Sequence, residues 1–544
     1  MDRPHRGAGR RRGAVVVNID VAFLSTWALP LVFLGPLIAA VITFVLGASA
    51  VSRFIGLLVP LGVFAVSIAL VIATMDGQVV VSQIAGWPGG VAIAFVGDLF
   101  SALMLGVSSL LVFTSMVFSY AAGLGIDRWF VPAVLVMTGG VYGAYVTADL
   151  FNLFVMVEVA LLPSYILMSR RGTLTALRAA RLYLIVNLTA STLFLAGLGA
   201  VYGVTGTVNM AALAGLGVLP VVGVATGVVV IALSLKAALV PTHSWLPATY
   251  PYTSPAVTAL FSGLLTKIGV YALVRIISLV YEPGQLVTVI VVLACVASMV
   301  IGVLGALGEG TIRGVLTFHM ISQVGYILVG VVLAGAVGLA AVVFYLIHHT
   351  IVKTSLFLTG GTVEHEEGTG IIKRLGGLAR AHPVASLAFL LAALSLTGIP
   401  PFSGFWAKLG VLNAAADAGS VLVFAAALIV SVGTLGSMLK LGSGVFWGTP
   451  KGMREEEDEE TPSDVTVGPE TVGATGVAID VATAVEAPPV TRWRPLLVIP
   501  GLALALISLG IGLYPEWLLA LSDTAGQSLS EPTAYVTAVL GGGS

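Results

Sequence analysis

Residues 222–275 read VGVATGVVVIALSLKAALVPTHSWLPATYPYTSPAVTALFSGLLTKIGVYALVR, two apolar runs joined by a segment with four prolines. Proline within a membrane span frees backbone carbonyls, which then need partners in protein or cavity water. Each run also holds one lysine, Lys236 or Lys267, and a lysine in the apolar part of a span costs roughly 3 kcal/mol to insert. The stretch therefore predicts a broken membrane helix with ionisable groups near the midplane, a common way to build an ion path.

The composition indicates a polytopic membrane protein. Of the 544 residues, 58% are hydrophobic and 9% are charged, whereas a soluble domain carries about a quarter charged residues. The net charge of −1, without a basic patch, gives no signal for nucleic acid. The single cysteine, Cys295, excludes an internal disulfide and a cysteine-based metal site. No phosphate-binding loop, nucleophilic triad or flavin motif is visible, so we expect no cofactor, no metal and no nucleic-acid partner.

Hydropathy predicts an all-α fold with about fourteen transmembrane helices. Each apolar segment is near the length that crosses ~30 Å of hydrocarbon at ~1.5 Å per residue. The predicted spans are 26–46, 54–75, 99–121, 130–147, 149–168, 182–205, 221–244, 254–281, 285–307, 313–335, 338–361, 384–412, 420–447 and 494–519. The basic N-terminal residues resemble the start of a signal peptide, but the first apolar run is too long for one, so we expect a retained span.

Basic residues in the short loops predict the orientation. They follow the fifth and eleventh spans, as Arg170, Arg171, Arg178, Arg181, Lys373, Arg374 and Arg380. The loops on the opposite side hold the acids Asp76, Glu282 and Asp417. By the positive-inside rule, the loops after odd-numbered spans face the cytoplasm and both termini are external. The N-terminal arginines contradict this orientation, which rests on the majority of the loops.

Weak internal repetition suggests two related halves. Tyr183-Leu-Ile and the segment 192–197 of the sixth span correspond to Tyr345-Leu-Ile and the segment 355–360 of the eleventh. An offset of five helices places the two copies in opposite membrane orientations, which is typical of inverted repeats in transporters. The seventh and twelfth spans, also five apart, are both interrupted by proline.

These patterns divide the chain into six parts. The long hydrophilic insert begins with a run of acidic residues and has the composition of a disordered cytoplasmic linker, although a role in docking a partner is an alternative. The predicted parts are an N-terminal tail (1–25), three helices (26–129), a first repeat (130–281), a second repeat (285–447), the acidic linker (448–493), and the last helix with a C-terminal tail (494–544).

Five of the seven lysines fall inside predicted spans or near their ends, namely Lys236, Lys267, Lys353, Lys408 and Lys440. A desolvated lysine can release its proton, whereas an arginine cannot do so at working pH. The alternative is snorkelling, in which a lysine at the end of a span reaches the interface. Snorkelling suits Lys440 best. It suits Lys236, Lys267 and Lys353 poorly, because they lie well inside their runs, and we interpret these three as proton-path candidates.

Among the 26 acidic residues, only Glu158 lies deep within a predicted span. A carboxylate there would be protonated or would need a cation. A lysine partner satisfies it and makes the protonation of each group depend on the other. We take Lys236 as that partner, and the alternative is a purely structural buried pair. Asp98 and Asp149 stand at the starts of spans, where stabilisation of a helix N-terminus is the expected role.

Four histidines, His243, His319, His348 and His349, lie in or next to spans. His349 and Lys353 are four residues apart on one helix and share a face. His243 either satisfies polar groups of the broken helix or relays protons. We expect at least one of the other three to relay protons and favour His349. No carboxylate–histidine set has the spacing of metal ligands.

Several segments now resemble one known family. The span around Glu158 and the segments SLKAALVPTHSWLP, SPAVTALFSGLLTKIGVYAL, YLIHHTIVKTSLFL and LTGIPPFSGFWAKLGVL are similar to the antiporter-like subunits. That family includes the large pump subunits of respiratory complex I and the large subunits of Mrp-type cation/proton antiporters. The resemblance covers about residues 90–447, its motifs are specific, and TSPAVTALFSGLLTKIGVYAL and HHTIVKTSLFL are most similar to the D branch of the Mrp type.

The resemblance implies fourteen helices, two inverted five-helix repeats with broken helices 7 and 12, and external termini. It also implies a proton path, which we place along Glu158, Lys236, Lys267, His349 and Lys408. The secondary candidates are His243, His319, His348 and Lys353. Complex I relatives often carry a histidine in the tenth span where this chain has Gln323, which cannot titrate. Either His319 or water would have to replace that relay position.

We therefore expect a subunit of a multisubunit Na⁺/H⁺ antiporter in the cytoplasmic membrane, a transporter and not an enzyme. Its partners would be the other subunits of a hetero-oligomeric Mrp complex, protons, Na⁺ and the lipid bilayer. The first alternative is a proton-pumping subunit of complex I or of a membrane-bound hydrogenase, with the same path but driven by redox partners. A transporter of an organic substrate would need a pocket with further hydrogen-bonding groups. An inert scaffold would not need five membrane lysines.

Overall fold

The computed structural model describes residues 20–448 and 494–541, except for 85–86, 88–89, 91–92, 125–126, 171, 282 and 334. The expected N-terminal tail and acidic linker therefore lie almost entirely outside the described residues. Two of the loop residues that indicate the orientation, Arg171 and Glu282, lie outside them as well.

Within these ranges the chain is almost entirely helical, and each predicted span contains a helix. The helices are α1 (Val21–Leu46), α2 (Ala50–Thr74), α3 (Leu99–Ala121), α4 (Phe130–Val146), α5 (Leu150–Ser169), α6 (Leu174–Thr205), α7a (Pro220–Ala237), α7b (Trp245–Thr249), α8 (Pro255–Leu279), α9 (Gln285–Gly308), α10 (Ile312–Leu333), α11 (Gly335–Glu367), α12a (Pro383–Thr397), α12b (Ser403–Asp417), α13 (Val421–Trp447), α14 (Pro495–Leu513), α15 (Glu516–Ser530) and α16 (Thr533–Gly541). Short helical turns lie between them at Leu216–Val218, Tyr250–Tyr252, Ile372–Arg374 and Leu378–Ala381.

Twelve helices of the described chain are long and apolar enough to cross a membrane, and α4 and α12a are shorter apolar helices. The prediction of an all-α polytopic membrane protein is confirmed. The inverted repeats and the domain boundaries stay predictions.

Hydropathy misplaces the start of the sixth helix. α6 begins at Leu174 and not near residue 182. Arg178 and Arg181, expected in a loop, therefore lie in its first turns. The Thr173 hydroxyl accepts a hydrogen bond from the Ala176 amide at 3.2 Å and caps the helix. Hydropathy detects the apolar part of a helix, whereas its hydrogen-bonded ends extend further.

Helices 7 and 12 are broken where the prolines predict it. α7a and α7b are separated by residues 238–244, of which Ala238 takes a left-handed φ of +59°. α12a and α12b are separated by residues 398–402, which begin with Gly398 at a φ of +87°. A left-handed residue is a common end to a helix. Each break leaves the last carbonyls of the first half-helix without intrahelical partners.

A two-stranded antiparallel sheet precedes α3, and the sequence pattern does not predict it. Strand β1 (Val80–Gln83) pairs with β2 (Ala94–Gly97), which leads into Asp98. The Asp98 carboxylate accepts a hydrogen bond from the Ser101 amide at 2.9 Å, which confirms the expected cap. It also forms a buried two-point ion pair with Arg275 of α8, at 2.6 and 2.8 Å. This pair joins the start of α3 to the end of α8.

The expected C-terminal tail forms two helices that pack on the rest of the chain. Gly526 of α15 lies against the backbone of α11, since a Cβ there would be 2.5 Å from the Ala340 nitrogen. α16 reaches the sheet, where Gln83 Nε2 donates to the Val539 carbonyl at 3.2 Å.

α8, α10 and α11 form the centre of the bundle. In their most apolar 18-residue windows, 100%, 83% and 83% of the residues are buried, against 33% for α1 and 28% for α2 and α9. Lipid is as apolar as the side chains on the outer helices, so their exposure costs little. The polar and ionisable side chains lie mainly around α8 and α11.

Gly269 allows α8 to approach α7a closely. A Cβ at this position would lie 2.9 Å from the Ala237 nitrogen and 3.3 Å from the Leu233 carbonyl oxygen. Small residues let membrane helices approach this closely. The contact brings the end of α7a, which carries Lys236, against the middle of α8, which carries Lys267.

We expect Gly269→Ala to lower the thermal midpoint of the purified protein, because the added Cβ forces two backbones apart. Overpacking of this kind costs about 1–3 kcal/mol. Gly199→Ala in α6 is the matched control, since nothing lies within 4 Å of its Cβ position. Thermal unfolding in detergent compares the two variants, and equal midpoints would contradict the proposed tight contact.

Candidate functional site

Three helices bring a carboxylate, a hydroxyl and an ammonium together. Glu158 Oε1 of α5 lies 3.8 Å from Lys236 Nζ of α7a. Ser191 of α6 stands between them: Lys236 Nζ donates to Ser191 Oγ at 2.9 Å, and Ser191 Oγ donates to Glu158 Oε1. The predicted pairing is confirmed. The side chain of Glu158 is 25% exposed and that of Lys236 is 5% exposed, so the cluster begins near the outer surface of the helix bundle.

The break in helix 7 places Lys236. This residue lies in the last turn of α7a, where the helix dipole favours a cation. Trp245 Nε1 donates to the Leu235 carbonyl at 3.1 Å, which also accepts from the Ala238 amide at 3.2 Å, and so ties α7b to the end of α7a. His243 lies in the break, with its Nδ1 buried and unpartnered among the described residues. No hydrogen bond or ion pair between described residues joins His243 to the other ionisable groups.

Three further lysines share one arrangement. Each is buried, and each donates a hydrogen bond from Nζ to a backbone carbonyl: Lys267 to Ser262 at 2.7 Å, Lys353 to Leu316 at 2.9 Å and Lys408 to Thr397 at 2.8 Å. In the part of the chain that the structure describes, none of the three forms an ion pair with a carboxylate. A buried ammonium with one neutral acceptor is poorly solvated, which is the condition under which a lysine exchanges its proton.

These lysines lie on helices that neighbour one another in the bundle. The charges of Lys267 of α8 and of Lys353 on its own helix both act on the His349 ring of α11. Lys408 Nζ of α12b lies 5.4 Å from the centre of the Tyr326 ring of α10, within the range of a cation–π interaction. α7a packs against α8, α8 against α11 and α11 against α12b, so the helices that carry these groups follow one another from α5, through the pair of Glu158 with Lys236, to α12b.

The three central histidines differ in their partners. His319 Nε2 lies 2.6 Å from Ser437 Oγ, and His348 Nδ1 lies 2.8 Å from Ser403 Oγ. His349 is fully buried, and neither ring nitrogen has a hydrogen-bond partner among the described residues. Buried polar groups are normally satisfied by protein or by water, so water is the partner expected for the ring nitrogens of His349.

Gln323 belongs to the same polar interior. Its Oε1 accepts a hydrogen bond from Tyr345 OH at 2.6 Å, while its Nε2 is buried without a partner in the described ranges. Gln323 cannot titrate, but it can orient a neighbouring hydroxyl. His319 lies one turn before it on α10, so the structure brings the expected replacement to the same helix face.

Lys440 has a different environment from the other lysines. Its Nζ donates to the carbonyls of Ala306, Leu307 and Glu309 at 3.0, 2.8 and 2.6 Å. These carbonyls end α9, and a lysine that caps the end of a helix has a structural role. The contacts agree with its interpretation as a residue outside the proton path.

One small cavity adjoins these groups, and a larger one lies at one end of the bundle. One of about 10 Å³ lies beside Lys236 and is also lined by Asn187 and Gly269, which leaves room for roughly one water molecule. The other has a volume of about 690 Å³ and lies between the start of α8 and the ends of α3, α5 and α11. Its wall includes Arg313, which forms an ion pair with Glu364 at 2.8 Å.

Chemically, the site can hold and pass protons. The Ser191 hydroxyl can both donate and accept, so it can connect Glu158 to Lys236. Serines in apolar helices have no distinctive spacing, so sequence patterns miss Ser191, and also Ser403 beside His348. No group of three or more His, Cys, Asp or Glu that could hold a metal ion occurs in the described ranges.

Comparison with known proteins gives consistent matches. The family model described as "NADH:quinone oxidoreductase/Mrp antiporter, TM" matches residues 147–434. The chain is 38% identical over 404 residues to the D subunit of the Na(+)/H(+) antiporter of Alkalihalophilus pseudofirmus, covering 73% of this chain and 82% of that protein. A chain of the Mrp complex from Dietzia sp. DQ12-45-1b is 45% identical with a TM-score of 0.86, covering 94% of this chain and 99% of that one. A chain of respiratory complex I from Thermus thermophilus is 25% identical with a TM-score of 0.68, covering 90% and 98%.

A double-mutant cycle tests the ion pair. Lys236→Ala should lower the thermal midpoint because it leaves Glu158 without its cation, and Glu158→Gln in the same chain should recover part of the loss. Removing one partner of a buried pair costs about 3–5 kcal/mol. We expect about 1–2 kcal/mol here, because partial exposure screens Glu158. Thermal unfolding of single and double variants measures the coupling, and a double variant that is no more stable than Lys236→Ala would contradict it.

Proposed function

Because the chain belongs to the NADH:quinone oxidoreductase/Mrp antiporter transmembrane family, we propose that it is a subunit of a multisubunit Na⁺/H⁺ antiporter and carries protons through the membrane. It is a transporter subunit and not an enzyme. The proposed proton path is Glu158, Lys236, Lys267, His349 and Lys408. The secondary positions are His243, His319, His348 and Lys353.

One observation carries this proposal. Lys267, Lys353 and Lys408 are buried, and among the described residues each has only a backbone carbonyl as its hydrogen-bond acceptor. Ionisable side chains inside membrane spans pair with one another or with backbone carbonyls and commonly mark ion pathways, whereas a lysine at the end of a span reaches the interface. Groups whose charged form is poorly solvated can instead gain and lose a proton during transport.

The contacts indicate how a change in the charge of one group of the path can affect the protonation of its neighbour. While Lys236 is charged, it stabilises the Glu158 carboxylate directly and through Ser191. When Lys236 releases its proton towards α8, Glu158 loses its cation and binds a proton more readily. A proton that arrives at Lys267 repels charge on the next lysine in turn. The protonation states of the path are therefore coupled.

A redox-driven proton pump is the alternative that has the same path. The similarity supports the antiporter: the chain of the Mrp complex is 45% identical, against 25% for the chain of complex I.

We further propose that the protein lies in the cytoplasmic membrane, with both termini external and with other subunits, Na⁺ and lipid as its partners. Basic residues at the ends of α5 and α11 support the orientation. The cavity of about 690 Å³ lies at that end of the bundle, and in this orientation it faces the cytoplasm. Two inverted repeats, 130–281 and 285–447, are supported by the corresponding breaks in helices 7 and 12.

Lys236→Arg separates proton release from charge. The guanidinium keeps a positive charge beside Glu158 but does not release its proton at working pH. We expect assembly with a proton flux reduced by at least roughly tenfold. Dye quenching in membrane vesicles, normalised to the amount of protein present, measures the flux. Lys440→Arg is the matched control, because Lys440 contacts only carbonyls at the end of α9, and it should keep its flux.

A normal flux in Lys236→Arg would show that proton release from Lys236 is not part of the mechanism. The path would then have to run through Lys267 and the histidines. Because the guanidinium is larger and forked, Lys236→Ala accompanies the test, and its flux should also be lost.

A further inference from the structure

Three serine hydroxyls meet at the break in helix 12. Ser395 lies near the end of α12a, Ser403 begins α12b, and Ser508 lies on α14; all three are buried. The Oγ of Ser508 is 2.8 Å from that of Ser395 and 2.8 Å from that of Ser403, and the last two are 3.2 Å apart. His348 of α11 joins this triangle, with its Nδ1 2.8 Å from Ser403 Oγ.

The number of protons available to the four contacts determines which ring nitrogen of His348 is protonated. The triangle and His348 make four contacts, and each contact needs one proton to be a hydrogen bond. The three hydroxyls supply three protons, and the fourth can come only from Nδ1. Without it, one buried contact would join two lone pairs, which is unfavourable. The count therefore places a proton on Nδ1 of His348 and leaves Nε2 of the neutral ring as an acceptor.

The hydrogen-bond partners also distinguish the roles of His319 and His349. Ser437 Oγ donates to the Thr434 carbonyl at 2.8 Å, so His319 Nε2 donates to Ser437. Each of His319 and His348 then has one ring nitrogen committed to a hydroxyl. His349 has both nitrogens free of partners among the described residues. It can take a proton on one side and release it on the other, whereas His348 exchanges protons at Nε2 alone.

His348 lies beside Lys408. A Cβ on Gly404 would be 3.0 Å from His348 Cε1, and Gly404 precedes Lys408 by one helical turn on the same face of α12b. The charge of Lys408 also acts on the His348 ring. The imidazole ring of His348 thus lies against α12b, the half-helix that carries Lys408.

α14 is fixed against this break. A Cβ on Gly512 would overlap with the Pro401 carbonyl oxygen, so only glycine permits the contact. Trp406 Nε1 of α12b donates to the Gly512 carbonyl at 3.0 Å. Ser508 lies one turn before Gly512, so its hydroxyl is held in place by the packing of the helix.

We propose that Ser508, together with Ser395 and Ser403, is a positioning residue that holds His348 with its proton on Nδ1, so that Nε2 receives the proton released by Lys408. One proton moves from Nζ to Nε2, which leaves a neutral amine and an imidazolium with the total charge unchanged. This inference rests on the proposed proton path and assigns a role to α14, which lies outside both repeats.

Nitrogen NMR of the assembled protein with ¹⁵N-labelled histidine tests the form of His348, whose signal is identified by its loss in His348→Gln. We expect the neutral ring to carry its proton on Nδ1. In Ser508→Ala, two contacts remain for two hydroxyl protons, so Ser403 can turn its proton to Nδ1. The signal should then show a mixture, and proton flux should fall roughly threefold to tenfold.

Two further variants separate positioning from packing. Ser508→Thr keeps the hydroxyl and should restore both the signal and the flux. Thr362→Val removes another hydroxyl bond between α11 and α14, from Thr362 Oγ1 to the Leu497 carbonyl at 2.8 Å, and should change neither.

A neutral His348 protonated on Nε2 in the wild type, or an unchanged signal in Ser508→Ala, would overturn the role of the triangle. A shifted signal with normal flux would overturn His348 as the acceptor for Lys408. Failure of the proposed proton path can be told apart from failure of this positioning role. It would appear as normal proton flux in Lys408→Gln, whichever ring nitrogen of His348 is protonated.

Discussion

The rest of the site depends on burial of ammonium groups that have too few acceptors. Lys267, Lys353 and Lys408 each have a backbone carbonyl within hydrogen-bond distance, and the described chain gives none of them a carboxylate. In a soluble core, such groups would be paired or replaced. Here they lie on α8, α11 and α12b, where α11 packs against both of the other helices, so a proton on one makes a proton on a near neighbour less favourable.

The broken helices make this arrangement possible. A continuous helix uses its own carbonyls, whereas the end of α12a offers the Thr397 carbonyl to Lys408. At the other break, the end of α7a points Lys236 towards Ser191 and Glu158. The close contact at Gly269 then sets α7a against α8. Backbone irregularity in the membrane is therefore confined to places where it orients an ionisable side chain.

Most of the fold can be predicted from the sequence, because long apolar runs and prolines leave few alternatives in a bilayer. The breaks at 238–244 and 398–402 and the pairing of Glu158 with Lys236 follow from the same reasoning, since an isolated charge in an apolar helix demands a partner. Contacts made by residues without a distinctive sequence pattern cannot be predicted in this way. The sheet before α3, the packing of α15 and α16, and the buried pair of Asp98 with Arg275 all depend on contacts between distant segments.

The serines are the clearest case of what sequence cannot show. Ser191 and Ser508 resemble many other small polar residues in apolar helices. Only the structure shows that Ser191 contacts Lys236 directly and that Ser508 contacts His348 through the hydroxyl of Ser403. The choice among the histidines likewise depends on which ring nitrogens have partners. Spacing along α11 places His348 and His349 side by side, but their hydrogen bonds differ.

Proton flux in vesicles that contain the assembled Glu158→Gln variant tests the central claim most directly. The amide keeps the size of the side chain and one acceptor oxygen for Ser191 but cannot take up a proton. Proton transfer along the buried line predicts that flux falls to the background of vesicles without the protein, while the variant is present at the normal level. Flux close to that of the wild type would contradict the claim and leave the pair of Glu158 with Lys236 a structural contact.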